Sequence, residues 1–416
     1  MRRTVVALTF SASASLVATQ AHANAFFLHA GDTVVFLGDS ITEGGAYTVP
    51  VEDYVVTRYP HMPVRFINSG VGKDKISGGL AGDMRERLDR DVAAFHPTVV
   101  TMMFGMNDGG FRSFDPHALD TFTTGYTAAL TTLKTVAPHA RLTLIRPSPY
   151  DDFTRAQWTG GDYNDVLIRY GDQVTHLASQ SDATVADLNA PVVSDLRRLA
   201  AVQPDVASKL FPDRTHPVPA GGLLLAKALL EAWGATALVS SVDIDARGGV
   251  AMSTANAQLR AIARGPALSW DQLDAALPMP LPDDAMSKVV ASTTDFTASL
   301  NQQILKVTGL PERRIQLSID GKAVAVLDAA DLADGVNLAA LATPMTAQAA
   351  DVHTLTLAHN SLRMTRWRRV QLVKTAAGVA GYKQALSAID LAEASIVSLQ
   401  REIAQPQWHH FELKPL

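Results

Sequence analysis

The chain has 416 residues, 47% of them hydrophobic and 19% charged, enough apolar material for more than one packed unit and too much for a disordered chain. Its 36 Lys and Arg against 41 Asp and Glu give a formal charge of -5, so no broad basic surface for nucleic acid is expected. With no cysteine in the sequence, disulfides, thiolate metal sites and cysteine nucleophiles drop out together, and any nucleophile must be an oxygen or an amine.

Arg2 and Arg3 precede a stretch of apolar and small residues from 4 to 20, and Ala21-His22-Ala23 has the small-x-small form of a cleavage site. Residues 1–23 therefore read as a secretory signal, with the mature chain secreted or periplasmic. Ser11, Ser13, Ser15 and Thr19 dilute the apolar run, which disfavours a spanning helix and lasting membrane insertion. Cleavage before Asn24 would remove two positive charges and no acids, taking -5 to -7.

From residue 31 onward short β-rich runs alternate with longer helical stretches. The runs are 33–37, 64–67, 98–104, 142–145 and 183–188, and the helical segments lie near 43–59, 79–95, 118–136, 163–180 and 219–235. Continuous apolar runs suit strands buried on both faces of a parallel sheet. The βα alternation predicts a three-layer α/β sandwich over residues 24–237, with a five-stranded parallel sheet and a ligand site at the carboxyl ends of the strands. After residue 237 the pattern changes, and 238–416 reads as a smaller α+β region. There 314–327 forms a predicted hairpin turning at Asp320-Gly321, with Ile315 opposite Val326 and Leu317 opposite Val324. Helices are predicted near 345–366 and 381–404.

Four blocks follow the strands or precede the last helix of the first unit. Gly38-Asp39-Ser40-Ile41-Thr42 puts Ser40 at a strand-to-helix turn. There Ser40-x-x-Glu43 could be a capping box, or Ser40 could present its oxygen to the crevice. Asn68-Ser69-Gly70-Val71-Gly72-Lys73-Asp74 is a glycine-rich turn whose backbone amides could serve an oxyanion. Asn107, in Gly105-Met106-Asn107-Asp108, offers a carboxamide donor, although Asn-Asp-Gly-Gly is also an ordinary loop sequence. Asp213-Arg214-Thr215-His216 places a carboxylate three residues before an imidazole, which can hold its tautomer for proton transfer. No zinc-type H-E-x-x-H, phosphate-binding or dinucleotide-binding run is present, so neither metal nor cofactor is expected.

In this order the blocks resemble the GDSL esterase/lipase family, also called SGNH hydrolases, over about residues 31–235. The resemblance implies a flavodoxin-like fold and a serine ester hydrolase. It assigns Ser40 as nucleophile, His216 as general base, Asp213 as its partner, and the Ser40 amide and Asn107 carboxamide as oxyanion donors. The family usually has glycine immediately before Asp74, where this chain has Lys73. Gly72 through a shifted turn is then the expected third donor, with the Lys73 amide as the alternative, and a left-handed Lys73 would be strained. The implied substrate is a small-molecule or carbohydrate ester, with acylated carbohydrate preferred. A lipase or lysophospholipase, or a non-catalytic carbohydrate-binding protein on a hydrolase scaffold, are the alternatives. The loop Arg146–Asp152 and the following Trp158–Asn164 are expected to face the crevice. Residues 238–416 resemble the C-terminal extension of some secreted bacterial members, as in 335–339 and Arg366-Trp367-Arg368. Trp367 there is read as a packed aromatic with solvated flanks.

Overall fold

The computed structural model describes residues 26–156, 161–311, 313–373 and 378–416; the expected secretory signal 1–23 and Trp158, Thr159 and Gly160 lie outside them. Five strands, β1 (Thr33–Gly38), β2 (Arg65–Gly70), β3 (Val99–Met103), β4 (Arg141–Arg146) and β5 (Thr184–Asp187), pair in parallel in the order 2-1-3-4-5. Val34, Val35, Leu37, Val99 and Val100 are wholly buried, as continuous apolar runs require when helices cover both faces. The helices are α1 (Ser40–Glu43), α2 (Thr48–Arg58), α3 (Pro116–Val136), α4 (Tyr163–Ser179), α5 (Ala190–Val202) and α6 (Pro219–Ala232). The three-layer sandwich expected from the sequence is therefore present.

Three segments differ from the sequence reading. The helix expected over 43–59 is interrupted after Glu43, where Gly45 takes φ 77° and a Cβ would lie 2.9 Å from Asn360. The segment 79–95 is not one helix but a short turn of helix (Met84–Arg87), a π-helical turn (Leu88–Val92) and a 3-10 turn (Ala93–Phe95). Helix α5 was not expected; Pro191 stands at its start, where the missing amide costs nothing.

Beyond Trp233 the chain builds two further sheets. Their strands are β6 (Leu238–Asp245), β7 (Val250–Ala255), β8 (Ala257–Arg264), β9 (Leu268–Asp274), β10 (Gln302–Thr308), β11 (Arg314–Ile319), β12 (Lys322–Asp328), β13 (Val336–Asn337) and β14 (Trp408–Pro415). One sheet runs 8-9-14-11-12 and the other 13-10-6-7. They enclose a second core that includes Val242, Trp270, Leu305, Leu317 and Phe411. The hairpin β11–β12 turns at Asp320-Gly321, both left-handed. Its register differs from the expected one, because Ile315 pairs with Leu327 and Leu317 with Ala325. A bulge after the Ser318–Ala323 pair leaves Val324 as the extra residue, which moves every later pair by one.

The longer helices of this half are α7 (Ala285–Thr293), α8 (Pro344–Met364) and α9 (Gly381–Ile403). It is joined to the first by packing and by buried polar contacts. Met279, Val290, Phe296 and Leu300 return to the first core, and α8 lies along α2. Between those helices the buried Asp53 accepts the Thr356 hydroxyl at 2.6 Å and faces His353 Nδ1 at 2.7 Å, while Glu52 faces His359 Nδ1 at 3.0 Å. Gln400 of α9 donates to Glu52 at 3.1 Å and to Thr356 at 2.7 Å. Carboxylates buried this way are tolerable only because each is partnered. They fix α8 against the helix that follows the Ser40 turn.

Candidate active site

The four sequence blocks converge at the carboxyl edge of the parallel sheet, outside β1, β2 and β3. Ser40 is the first residue of α1, and the helix is capped not by Ser40 but by Asp39, whose carboxylate accepts the Ile41 amide at 3.0 Å. The Ser40 hydroxyl is thus released from the capping role that its sequence permits. It lies 2.7 Å from His216 Nε2 instead.

His216 is held from its own loop. Asp213 Oδ2 lies 2.6 Å from His216 Nδ1, and Asp213 Oδ1 accepts the backbone amides of Thr215 and His216 at 3.0 and 2.7 Å. Partial burial opposes ionisation of Asp213, but those hydrogen bonds outweigh it and hold its carboxyl below the ordinary aspartate range. Between them Arg214 adopts φ 72° and donates to Asp151 O at 3.0 Å, Asp152 at 2.7 Å and Ala156 O at 2.7 Å. The loop after β4 thus braces the imidazole. Tyr150 of that loop is buried against Tyr163 and Phe111.

Asn107 follows β3. Its Nδ2 donates to Asp74 O at 2.9 Å and lies 3.5 Å from Asp39 Oδ2. The second contact is at the limit of bonding distance, so one amide hydrogen is only weakly engaged. Asp108 ties this loop to the second block by accepting the Ile76 amide at 2.9 Å and the Gly105 amide at 3.1 Å. Burial pushes the Asp108 carboxyl up to about 6.

In the second block Gly70 passes so near α1 that a Cβ would sit 2.1 Å from Glu43 N, which excludes any side chain. Lys73 takes the left-handed conformation at φ 63°, whereas Gly72 does not have positive φ. The conformation usual for a glycine is therefore imposed on a lysine, at a cost of about 1–2 kcal/mol. Among the described residues neither amide is spent on another hydrogen bond. Asp74 is anchored beneath by an ion pair with the buried Arg87, which also bonds Ser69 O.

Asp39 is wholly enclosed, and burial, reinforced by the nearby Asp108 and Asp74, pushes its carboxyl up to about 7. An unfolded aspartate ionises near pH 3.9. Between those values the folded chain keeps a proton the unfolded chain has lost, so this group lowers stability as pH rises from about 4 to 7. Asp39→Asn retains an oxygen for the Ile41 amide and has nothing to ionise. It is expected to flatten the fall in Tm between pH 4 and pH 8, and a slope equal to that of the parent chain would refute a protonated Asp39.

Sequence reasoning missed one wall of the site. A cavity of about 770 Å³ beside Ser40 is lined by Glu43, Gly44, Asn360, Met364, Arg368 and Arg369, among others, so α8 and the π-helical turn Thr365–Gln371 supply most of its lining. Trp367, 2% exposed, packs on Val71 and Ala81 and donates to Gly70 O at 2.8 Å. Its flanks are not simply solvated: Arg366 pairs with Asp390 and Arg368 with Glu43. The Arg-Trp-Arg run was visible as a motif, but nothing local to it says that it meets the second block. Among the described residues no cluster of three or more His, Asp or Glu is placed to hold a metal ion.

A serine bonded to an imidazole that is bonded to a carboxylate, at the edge of a 2-1-3-4-5 parallel sheet, defines an ester-hydrolase class of site. Residues 36–222 match the GDSL-like Lipase/Acylhydrolase family. The acetylxylan esterase of Geobacillus stearothermophilus is 27% identical over 226 residues, 49% of this chain and 94% of that protein. The solved structure of BT4096, a gut microbial diltiazem-metabolizing enzyme, superposes with a TM-score of 0.83 at 27% identity over 94% of this chain and 98% of that one, so both halves of the fold recur there. Residues 36–222 therefore carry a GDSL-like lipase/acylhydrolase domain, of the ester-hydrolase family also called SGNH.

Proposed function

We propose that this chain is an exported serine esterase, secreted or periplasmic after loss of residues 1–23, that removes acetyl groups from carbohydrates through an acyl-Ser40 intermediate. The observation that carries the reading is the relay Ser40 Oγ to His216 Nε2 at 2.7 Å and His216 Nδ1 to Asp213 at 2.6 Å. His216 accepts the Ser40 proton as Oγ attacks the ester carbonyl, and then delivers it to the departing alcohol. Water next attacks the acyl-serine, losing its proton to His216, which returns it to Ser40 Oγ as the acid leaves. The Ser40 amide, the Asn107 carboxamide and a backbone amide of the second block face the oxyanion formed in both steps. The left-handed turn at Lys73 favours the Lys73 amide over that of Gly72 for the third donor.

The carbohydrate part rests on the acetylxylan esterase likeness. The test is acetate release from acetylated xylan by residues 24–416, compared with hydrolysis of long-chain lipid emulsions and with labelling of Ser40 by a phosphonate serine probe. Acetate release with weak lipid turnover is expected. Preferred lipid cleavage would make the chain a long-chain acyl hydrolase, and failure of the probe to label Ser40 would leave a binding protein on a hydrolase scaffold.

A further inference from the structure

Resting on that reading of Ser40, we infer that the C-terminal half supplies the substrate-selecting wall of the active site, and that Arg369 on it recognises an anionic group, a carboxylate, carried by the ester. The cavity beside Ser40 has two origins. The first half of the chain contributes Ser40, Glu43 and Gly44, and the wall opposite comes from residues 360–369. That wall is fixed in place. Asn360 sits against Gly45 at the end of the nucleophile turn, and Trp367 is bonded to the last carbonyl of β2. The buried contacts of Glu52 and Asp53 with His359, His353 and Thr356 hold the rest of α8 on α2.

Charge in the cavity is unequal. Its ionisable lining groups are Glu43, Arg368 and Arg369. Glu43 is mostly buried and paired with Arg368, so that guanidinium is neutralised and held between α1 and Gly72, where a Cβ on Gly72 would meet it at 3.2 Å. Arg363 and Arg366 face Glu393 and Asp390. Arg369, exposed on the cavity rim, has no carboxylate partner among the described residues. A guanidinium without a partner, in a cavity shared with the nucleophile, presents a planar donor fork suited to a carboxylate. The π-helical turn makes this possible: its wider winding directs Trp367 inward while Arg368 and Arg369 border the cavity, and such turns recur at functional sites.

The experiment compares two acetylated methyl hexosides that differ only at C6, one with CH2OH and one with carboxylate. The quantity read is the ratio of kcat/KM for the acid to that for the neutral ester. Because both substrates meet the same folded fraction, partial misfolding of a variant cancels from the ratio. The parent chain is expected to favour the acid roughly three- to tenfold at low salt, and less at 0.5 M NaCl. Arg369→Gln is expected to bring the ratio to about one, and Arg369→Lys to retain part of it. A parent ratio of one or below, or a ratio unchanged in Arg369→Gln, overturns the inference while leaving the esterase reading intact. Loss of all Ser40-dependent hydrolysis on both esters would instead overturn the esterase reading.

Discussion

Replacing Ser40 by alanine is expected to lower kcat on p-nitrophenyl acetate by roughly a million-fold, replacing His216 by about as much, and replacing Asp213 by about ten-thousand-fold. The order follows from the geometry. Ser40 and His216 form one proton relay across 2.7 Å, so losing either removes acyl transfer altogether. Asp213 only orients the ring, and it is about half exposed. Water can therefore replace part of its effect. Because the three act as a unit, a Ser40→Ala/His216→Ala double variant is expected to be no worse than either single one. A double variant whose loss equals the product of the single losses would mean that the two residues act independently, contrary to the relay. Stability separates chemistry from folding: Asp39, not Ser40, caps α1, so Ser40→Ala is expected to leave Tm within about 1–2 °C of the parent, in keeping with a surface-type substitution.

What could be read along the chain were features that neighbouring residues determine. The parallel strands were legible because Thr33–Gly38 and Val99–Met103 are apolar at successive positions, as only doubly covered strands need be. The chemistry was legible for a related reason: three of the catalytic blocks are a strand end and the turn after it, and the fourth is the loop just before α6, so spacing within a few residues carries each. Pairings between distant segments were not legible. β14, the last strand, inserts between β9 and β11, and no local pattern in Trp408–Pro415 announces those partners. β7 is exposed throughout and lacks the half-buried alternation that identifies a strand. The bulge at Val324 defeated a register argued from alternation alone.

The site divides along the same line. Ser40, Asn107, Asp213 and His216 could be named from order and spacing. The Arg368–Glu43 pair joins residues 325 apart in sequence and depends on how two cores dock. At Ser40 the local sequence left two roles open, a helix cap and an exposed oxygen, and Asp39 one residue earlier decides between them by capping α1 itself.

Asn107→Ala is expected to reduce kcat by about 100- to 1000-fold, corresponding to about 2.7–4 kcal/mol of lost transition-state stabilisation. KM is expected to change little, because the bond matters once charge develops on the carbonyl oxygen and the ground-state ester gains little from it. The carboxamide is well placed for selective loss. Its held hydrogen goes to Asp74 O at 2.9 Å, and the Asp39 contact at 3.5 Å competes only weakly for the other. Truncation removes one bond to Asp74 O, at about 1 kcal/mol, and the fold keeps the Asp108 ties to Ile76 and Gly105 that position the loop. The two backbone donors cannot be deleted in this way, and they account for the activity expected to remain. A rise in KM with kcat preserved would assign Asn107 to substrate binding, and an unchanged kcat would remove it from the oxyanion hole. Activity abolished to the level of Ser40→Ala, with Tm intact, would mean that the amides of Ser40 and the Lys73 turn contribute no stabilisation of their own.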